Sequence, residues 1–293
     1  MIKKIMKKIS LKQKIIIILL LTSVIYTLYQ RLQCIYNTSP TLQVHFIDVG
    51  QGDSTLIITP DKKTVLIDAG DEQHSSRTTG YIKSQGIDKL DLVIATHPDA
   101  DHIGGMDKVI KNFDIGMFSM PLVSKDTKQY KEIKQELKNK KLKNKPLYTG
   151  DGLSVGKDVK LQILSPQKNK TYSDTNEYSI VARLSYKEVS FLFMADATME
   201  NEIAIINDFD DISSDVLKLG HHGSSTSTSD YFLGKVNPSI GVISCGKNNK
   251  YGHPHKEVMN LLEKYNIMIF RTDKQGSIVL KSDGYKIYSR RGK

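Results

Sequence analysis

No tryptophan occurs in the 293 residues and only two cysteines do, Cys34 and Cys245, so a disulfide framework is excluded by count. Cys245 lies in the apolar run IGVISCG, where packing as a small hydrophobe is its expected role. So few cysteines neither favour nor oppose an exported protein. There is no internal repeat, and no low-complexity tract beyond one lysine-rich segment. Acidic residues are missing from residues 1–34, where six lysines and Arg31 carry +7 of the formal net charge of +10 and leave residues 35–293 with +3. The globular part is therefore nearly neutral, and the overall charge does not by itself identify an anionic partner.

Long apolar runs are scarce as well. The one candidate, IIIILLLTSVIYTLYQ at residues 15–30, spans roughly 24 Å as a helix against a hydrocarbon core of about 30 Å, a deficit that flanking lysines can offset by snorkelling. We expect an uncleaved signal-anchor. No small-x-small cleavage site follows the run, and Gln33 is a poor residue before a lipidated Cys34. The lysine-rich end would stay in the cytoplasm, giving a single-pass membrane protein with its domain outside, or alternatively a secreted one. The expected organisation is a basic N-terminus and anchor helix at 1–34, a linker at 35–41 and one large domain at 42–293.

With 39% hydrophobic and 25% charged residues, the chain has enough material for a sizeable core. Short β-branched or aromatic runs bounded by turn formers predict strands at LQVHFIDV, STLIITP, TVLIDAG, DLVIATH, MFSMPLV, VKLQILSP, SIVARLSY, VSFLFMAD, DVLKLG, IGVISCG, MIFRT, SIVLK and YKIYS. Helices are predicted at 79–86, 104–113, 126–141, 198–208, 228–236 and 255–265. Strands in pairs and triplets interrupted by single helices predict packed sheets covered outside by helices, an α/β (α+β) architecture without strict βαβ alternation.

Several of these strands end abruptly in polar clusters: DLVIATHPDADH, VSFLFMAD, VLKLGHHGS and VISCGKNNKYGHPH. Six of the eight histidines belong to these segments, and only His45 and His74 lie elsewhere. Strand ends converge on one rim of a sheet, so the segments are placed to form one site. In HPDADH, one Asp capping a helix would leave His97, Asp99 and His102 unexplained. Two neighbouring carboxylates repel unless a cation lies between them, and neutral imidazoles complete its shell. This number of ligands suits two cations better than one. Asp196 is the natural bridge, with a helix N-cap as its competing role. For His221 and His222 the expected division is His221 as ligand and His222 as support or oxyanion donor, with the reverse assignment open. His253 is the better ligand candidate in YGHPH, and His255 is expected to cap or solvate the following helix.

These segments resemble the metallo-β-lactamase superfamily, and in particular the hydrolase domain of ComEC-type DNA-uptake proteins. The resemblance rests on VHFIDVGQGDS, LIDAG, ATHPDADHIGG, the Asp of FMAD, LKLGHHGSSTS and YGHPH, in the expected order over residues 42–290. It implies an αββα sandwich with two divalent metal ions, Zn or Mn, at the sheet edge. By the same resemblance His97 and Asp99 would serve one metal, Asp101 and His102 the other, Asp196 would bridge, and His221 and His253 would complete the shells. Asp68 would support the metal loop, and Asp48, Gln51 and Asp53 match a ComEC-type signature beside the site. Asp99 stands where the wider superfamily has His, and Ala195 stands where a Thr-Gly-Asp-like turn is usual.

The implied chemistry is attack by a metal-activated water. Asp99 or Asp101 would accept the proton, and His222 or a serine of the following loop, Ser224, would donate to the oxyanion or leaving group. The segment from Lys125 to Lys145 carries nine lysines against Asp126, Glu132 and Glu136, suited to a phosphate backbone or to a solvated helix face. The expected activity is that of a binuclear phosphodiesterase or nuclease acting on DNA or another phosphodiester polymer at the outer face of the membrane. The rivals are a phosphorylcholine or other ester hydrolase of cell-wall polymers, a lactonase or β-lactamase, and a non-catalytic DNA-binding or polymer-binding module.

Overall fold

The computed structural model describes residues 10–38, 40–123 and 125–289. It divides into two units, Met1–Pro40 and Thr41–Lys293. Within the first, helix α1 (Leu11–Thr38) contains the apolar run, and its side chains from Ile15 to Ile18 are about half exposed. Among the described residues no helix is long and apolar enough to cross a membrane, so the spanning anchor and the membrane as a partner are not supported. The uncharged run itself is about 24 Å long against a hydrocarbon core of about 30 Å. Residues 35–38, expected to be linker, are helical. Residues 1–9 of the basic N-terminus lie outside the described residues.

The second unit is built from two seven-stranded sheets. The first has the order β14-β13-β1-β2-β3-β4-β5, from β1 (Leu42–Phe46), β2 (Thr55–Ile58), β3 (Thr64–Ile67), β4 (Lys89–Ile94), β5 (Asp114–Ser119), β13 (Ile278–Ser282) and β14 (Ile287–Ser289). The second has the order β12-β11-β10-β9-β8-β7-β6, from β6 (Gly152–Gly156), β7 (Val159–Ser165), β8 (Val181–Tyr186), β9 (Val189–Phe193), β10 (Val216–Lys218), β11 (Ile240–Ile243) and β12 (Met268–Arg271). Strands β3, β4 and β5 are parallel, as are β9 to β12, so the C-terminal ends of each group point one way.

Three layers of apolar packing account for the burial of both faces. Val44, Phe46, Ile94, Phe191 and Phe193 fill the space between the sheets. Ile82, Val109, Ile110 and Ile133 belong to the cluster between the first sheet and α2 (Ser75–Ser84), α4 (Met106–Asn112) and α5 (Lys128–Asn139). Ile205, Phe232, Val258 and Leu262 join α6 (Met199–Asp208), α7 (Asp230–Val236) and α8 (Lys256–Lys264) to the second sheet. The result is the expected αββα sandwich, with β2 and β3 buried at every position because each face has a neighbouring layer.

Candidate metal centre

The polar segments leave the sheets at adjacent C-terminal strand ends. Asp68 follows β3, His97 follows β4, Asp196 follows β9, and His221 and His222 follow β10. Short helix α3 (Ala100–Ile103) carries Asp101 and His102. Asp196 lies at the centre, 3% exposed. Its Oδ1 is 3.1 Å from Nε2 of His102, and its Oδ2 is 3.9, 3.5 and 3.6 Å from Nε2 of His97, His221 and His222. Asp101 Oδ2 lies 3.3 Å from Nε2 of His222. The ring of His253 is 5.6 Å from that of His221 and 6.0 Å from that of His222. Both histidines of the pair thus reach the same oxygen, and chain adjacency does not divide their roles.

The opposite edges of these rings explain why Nε2 faces inward. His102 Nδ1 donates to Asp68 Oδ2 (2.8 Å), and His222 Nδ1 donates to the carbonyl of Ser244 (3.0 Å). His97 Nδ1 donates to Thr96 Oγ1 (3.0 Å), which in turn donates to Asp68 Oδ2 (2.7 Å). His221 Nδ1 meets Thr226 Oγ1 at 3.0 Å, and that hydroxyl continues to Ser224 Oγ at 3.0 Å. With Nδ1 committed as donor, Nε2 is the nitrogen that can lose its proton and offer a lone pair. Asp68 therefore orients two histidines, and Ser224 is linked to His221 through Thr226.

Charge in the site is unbalanced in a way that suits a cation. Burial opposes a charged His222, yet Asp196, Asp101 and Asp53 carry its imidazole up to about 10. His102 is likewise held well above its ordinary value, against burial, by Asp196 and Asp68. Asp196 is held well below the carboxylate range despite burial, chiefly by His102 and His222. Burial and then the neighbouring imidazoles lower His253 to about 4, so that ring is neutral. Nε2 of His97, His102 and His222, Nδ1 of His253, and Oδ1 of Asp53 and Asp196 are all buried without hydrogen-bond geometry to any partner. Orphaned lone pairs of imidazole and carboxylate converging in one place are the donor set of a divalent metal site, and the residues fit one. Ligand atoms of Asp53, His102, Asp196 and His222 lie within 4.8 Å of one another.

Other residues of the sequence pattern take different places. Asp99 holds the N-cap position of α3, where its carbonyl accepts the His102 and Ile103 amides, and turns Oδ1 to Lys125 Nζ (2.5 Å) and Thr175 Oγ1 (2.8 Å). Asp48 accepts the Gly50 amide (3.1 Å) and lies 3.7 Å from Arg77, apart from the cluster. Asp53, expected only to support the site, is inside it. Gln51 ties the two sheets together by accepting the Gly246 amide (3.0 Å). His255 accepts the Ser225 amide on Nδ1 (3.0 Å), and His45 is buried against Tyr81. A cavity of about 510 Å³ lined by Asp61, Lys63, Leu92 and Met117 involves none of these residues.

Sequence reasoning missed Lys218. It is 2% exposed, and its Nζ donates to Asp53 Oδ2 at 2.8 Å and to the Leu219 carbonyl at 3.0 Å. Burial would raise the Asp53 carboxyl, but Lys218 and then His222 draw it down to about 2. A lysine within the apolar strand VLKLG was the available signal, since an unpaired ammonium does not remain buried.

Two backbone positions carry testable strain. Gly52 has φ +130°, and a Cβ there would fall 2.1 Å from the Asp101 carbonyl oxygen, which accepts the Asp53 amide at 3.2 Å. Gly52→Ala is therefore expected to displace the Asp101 loop, lowering stability by about 1–3 kcal/mol and weakening metal binding; urea melts and metal titration check both. Ala195 adopts φ +48° where the resemblance led us to expect Gly. Ala195→Gly is expected to stabilise the protein by about 1 kcal/mol without loss of metal, and an unchanged or lower Tm would refute that.

A two-sheet sandwich with buried imidazoles and carboxylates at one rim defines the class of metal-dependent hydrolases with an αββα fold. Residues 47–247 match the Metallo-beta-lactamase superfamily, and the chain belongs to that superfamily. It is similar to ComE operon protein 3 of Bacillus subtilis (strain 168), 32% identical over 253 residues, covering 80% of this chain and 32% of that protein. It is also similar to Recombination protein 2 of Haemophilus influenzae, 32% identical over 251 residues, covering 82% and 29%. The chain thus spans about a third of the length of these curated relatives. The crystal structure of the metallo-beta-lactamase fold protein YhfI from Bacillus subtilis shares the fold, with a TM-score of 0.51 at 14% identity over 78% of this chain and 95% of that one.

Proposed function

We propose that the chain is a binuclear metal-dependent phosphodiesterase that cleaves DNA. The observation that carries this reading is the Asp196 carboxylate with four imidazole Nε2 atoms within 3.9 Å, one on Oδ1 and three on Oδ2. A carboxylate approached on both oxygens would help to hold two divalent cations, Zn or Mn. His97, His102, His221 and His222 would hold them with Asp196, and Asp101 and His253 would complete the set. When bound, such cations would lower the pKa of a coordinated water and neutralise charge developing on a phosphoryl oxygen.

The chain's own residues supply the rest. Asp68 keeps His102 and His97 in the tautomers that present Nε2. Asp101, partly open at 31% side-chain exposure, is positioned to take the proton from the attacking water. A DNA substrate is supported by a relative named for recombination and by the resemblance to DNA-uptake proteins. The lysine-rich helix adds less than its sequence suggested. Lys125, Lys128 and Lys131 already pair with Asp99, Glu72 and Asp126 at 2.5 Å each, which leaves the lysines toward its C-terminal end to meet a backbone.

The test is a panel of single-stranded DNA, double-stranded DNA, bis-aryl phosphate, a phosphorylcholine ester and a β-lactam, each with Zn or Mn, and with His102→Ala as control. Turnover of DNA and bis-aryl phosphate, lost in the variant, is expected. Turnover confined to the choline ester or β-lactam would overturn the reading, and metal binding without any turnover would favour a binding module. We also propose that the domain acts outside the cytoplasm, on the strength of the acid-free, basic residues 1–34. Protease added to intact cells is expected to degrade it, and protection would refute that location.

A further inference from the structure

We propose that a cavity lined by Tyr148, Tyr172 and Tyr178 is a base-binding subsite that receives one nucleobase of a single strand whose phosphate lies at the metal centre. The inference rests on the phosphodiesterase reading and names the part of the substrate this surface takes. The cavity is about 230 Å³, below the roughly 300–1,000 Å³ of pockets that enclose a whole drug-sized ligand, so it suits a single flat ring system.

Its aromatic walls are held in place before any ligand arrives. Tyr172 and Tyr178 meet edge to face, with centroids 4.9 Å apart at 75°. The Tyr178 hydroxyl accepts the Tyr172 amide (3.1 Å), and the Tyr172 hydroxyl accepts the Gln167 amide (2.9 Å). Rings fixed in this way lose little freedom on stacking a base, which is the recurrent device of single-strand recognition. Charge complements it. Lys170 Nζ sits 4.9 Å over the Tyr172 ring, and Tyr148 follows the exposed Lys143 and Lys145. The Lys145 amide bonds to the Phe118 carbonyl (2.9 Å), anchoring this lysine-bearing segment beside the end of β5.

The same short segment joins the cavity to the chemistry. Tyr178 ends a 3₁₀ turn, Thr175–Tyr178, whose Thr175 hydroxyl donates to Asp99 (2.8 Å). The next residue, Ser179, accepts the Asp196 amide on Oγ (3.2 Å), and the Ile180 amide donates to the Thr96 carbonyl (3.0 Å). The aromatic wall is thus attached to the residues that flank the metal centre on both sheets. This arrangement also gives Asp99, with Lys125, a role in fixing the Thr175 turn.

The experiment compares binding of a labelled single-stranded oligonucleotide with that of an abasic strand bearing the same number of phosphates. It uses the full chain in chelator, so that strands remain intact. Wild type is expected to prefer the strand with bases by about tenfold. Tyr148→Leu and Tyr172→Leu are expected to abolish the preference, and Tyr148→Trp to keep it. Tyr148 is tied through its backbone amide to Asp151 (2.9 Å), so its ring can be removed without breaking that bond if Tyr172→Leu fails to fold. Equal binding of the two strands by wild type, or a preference that survives Tyr148→Leu, would overturn the subsite. Bis-aryl phosphate turnover tests the phosphodiesterase reading separately. A base preference without that turnover would retain the subsite and remove the reading on which it was built.

Discussion

Asp196→Asn is expected to abolish retention of divalent metal and to reduce hydrolytic turnover by about 10³-fold or more. The substitution keeps the shape of the side chain but removes the charge on which Nε2 of His97, His102, His221 and His222 converges. Metal-centred stabilisation of a transition state is worth several kcal/mol, and each 1.36 kcal/mol is a factor of ten in rate. Atomic absorption after gel filtration reads the metal, and turnover of a phosphodiester reads the rate. Asp48→Asn is the matched control, because Asp48 is paired with Gly50 and Arg77 away from the cluster. It should retain metal, and equal behaviour of the two variants would refute the assignment of Asp196 as the central carboxylate.

Lys218→Met should be the most destabilising substitution at the site. The ammonium is buried with Asp53 Oδ2 at 2.8 Å, and removing one partner of a buried pair costs about 3–5 kcal/mol, an upper figure here because His222 Nδ1 still lies 3.3 Å from Asp53. A typical domain holds only about 5–15 kcal/mol in total, so the variant is best compared with wild type under stabilising conditions. The pH dependence gives an independent sign. In the wild-type metal-free protein the Asp53 carboxyl is depressed from 3.8 to about 2, so its contribution, roughly 2 kcal/mol, is complete above pH 3.8 and is lost as pH falls toward 2. Without Lys218 the largest influence holding that carboxyl down is gone, and it rises from its depressed value. The stability difference between wild type and variant should therefore narrow as the solution is acidified and Asp53 takes up its proton. Urea melts in chelator across pH 3 to 7 measure both quantities; a difference below about 1 kcal/mol at neutral pH, or one that widens in acid, would refute the role of Lys218.

The two variants separate functions that share one pocket. Asp196 faces the imidazoles directly, whereas Lys218 acts through Asp53, which lies 3.3 Å from His222 Nδ1. Loss of the first should leave a folded protein without metal. Loss of the second should weaken the fold around a ligand set that is chemically intact.

Local pattern in the sequence determined most of the strands, the helices α4 to α8 to within a few residues though not the single turn at Thr272–Gln275, and the candidate ligands, because alternation, turn formers and crowded acid–imidazole motifs are properties of neighbouring residues. Strand β6, GLSVG, escaped because an edge strand with glycine at both ends and little apolar content has almost no periodic signal. The uncharged run at residues 15–30 and its length were legible too. Only the tertiary structure decided which groups meet. It turned Asp99 toward Lys125 and Thr175, brought Asp53 into contact with Lys218 across 165 positions of chain, and closed Tyr148 with Tyr172 and Tyr178 around one cavity. Such encounters depend on how two sheets stack and where their loops cross, and those are long-range packing outcomes that no short window of residues contains.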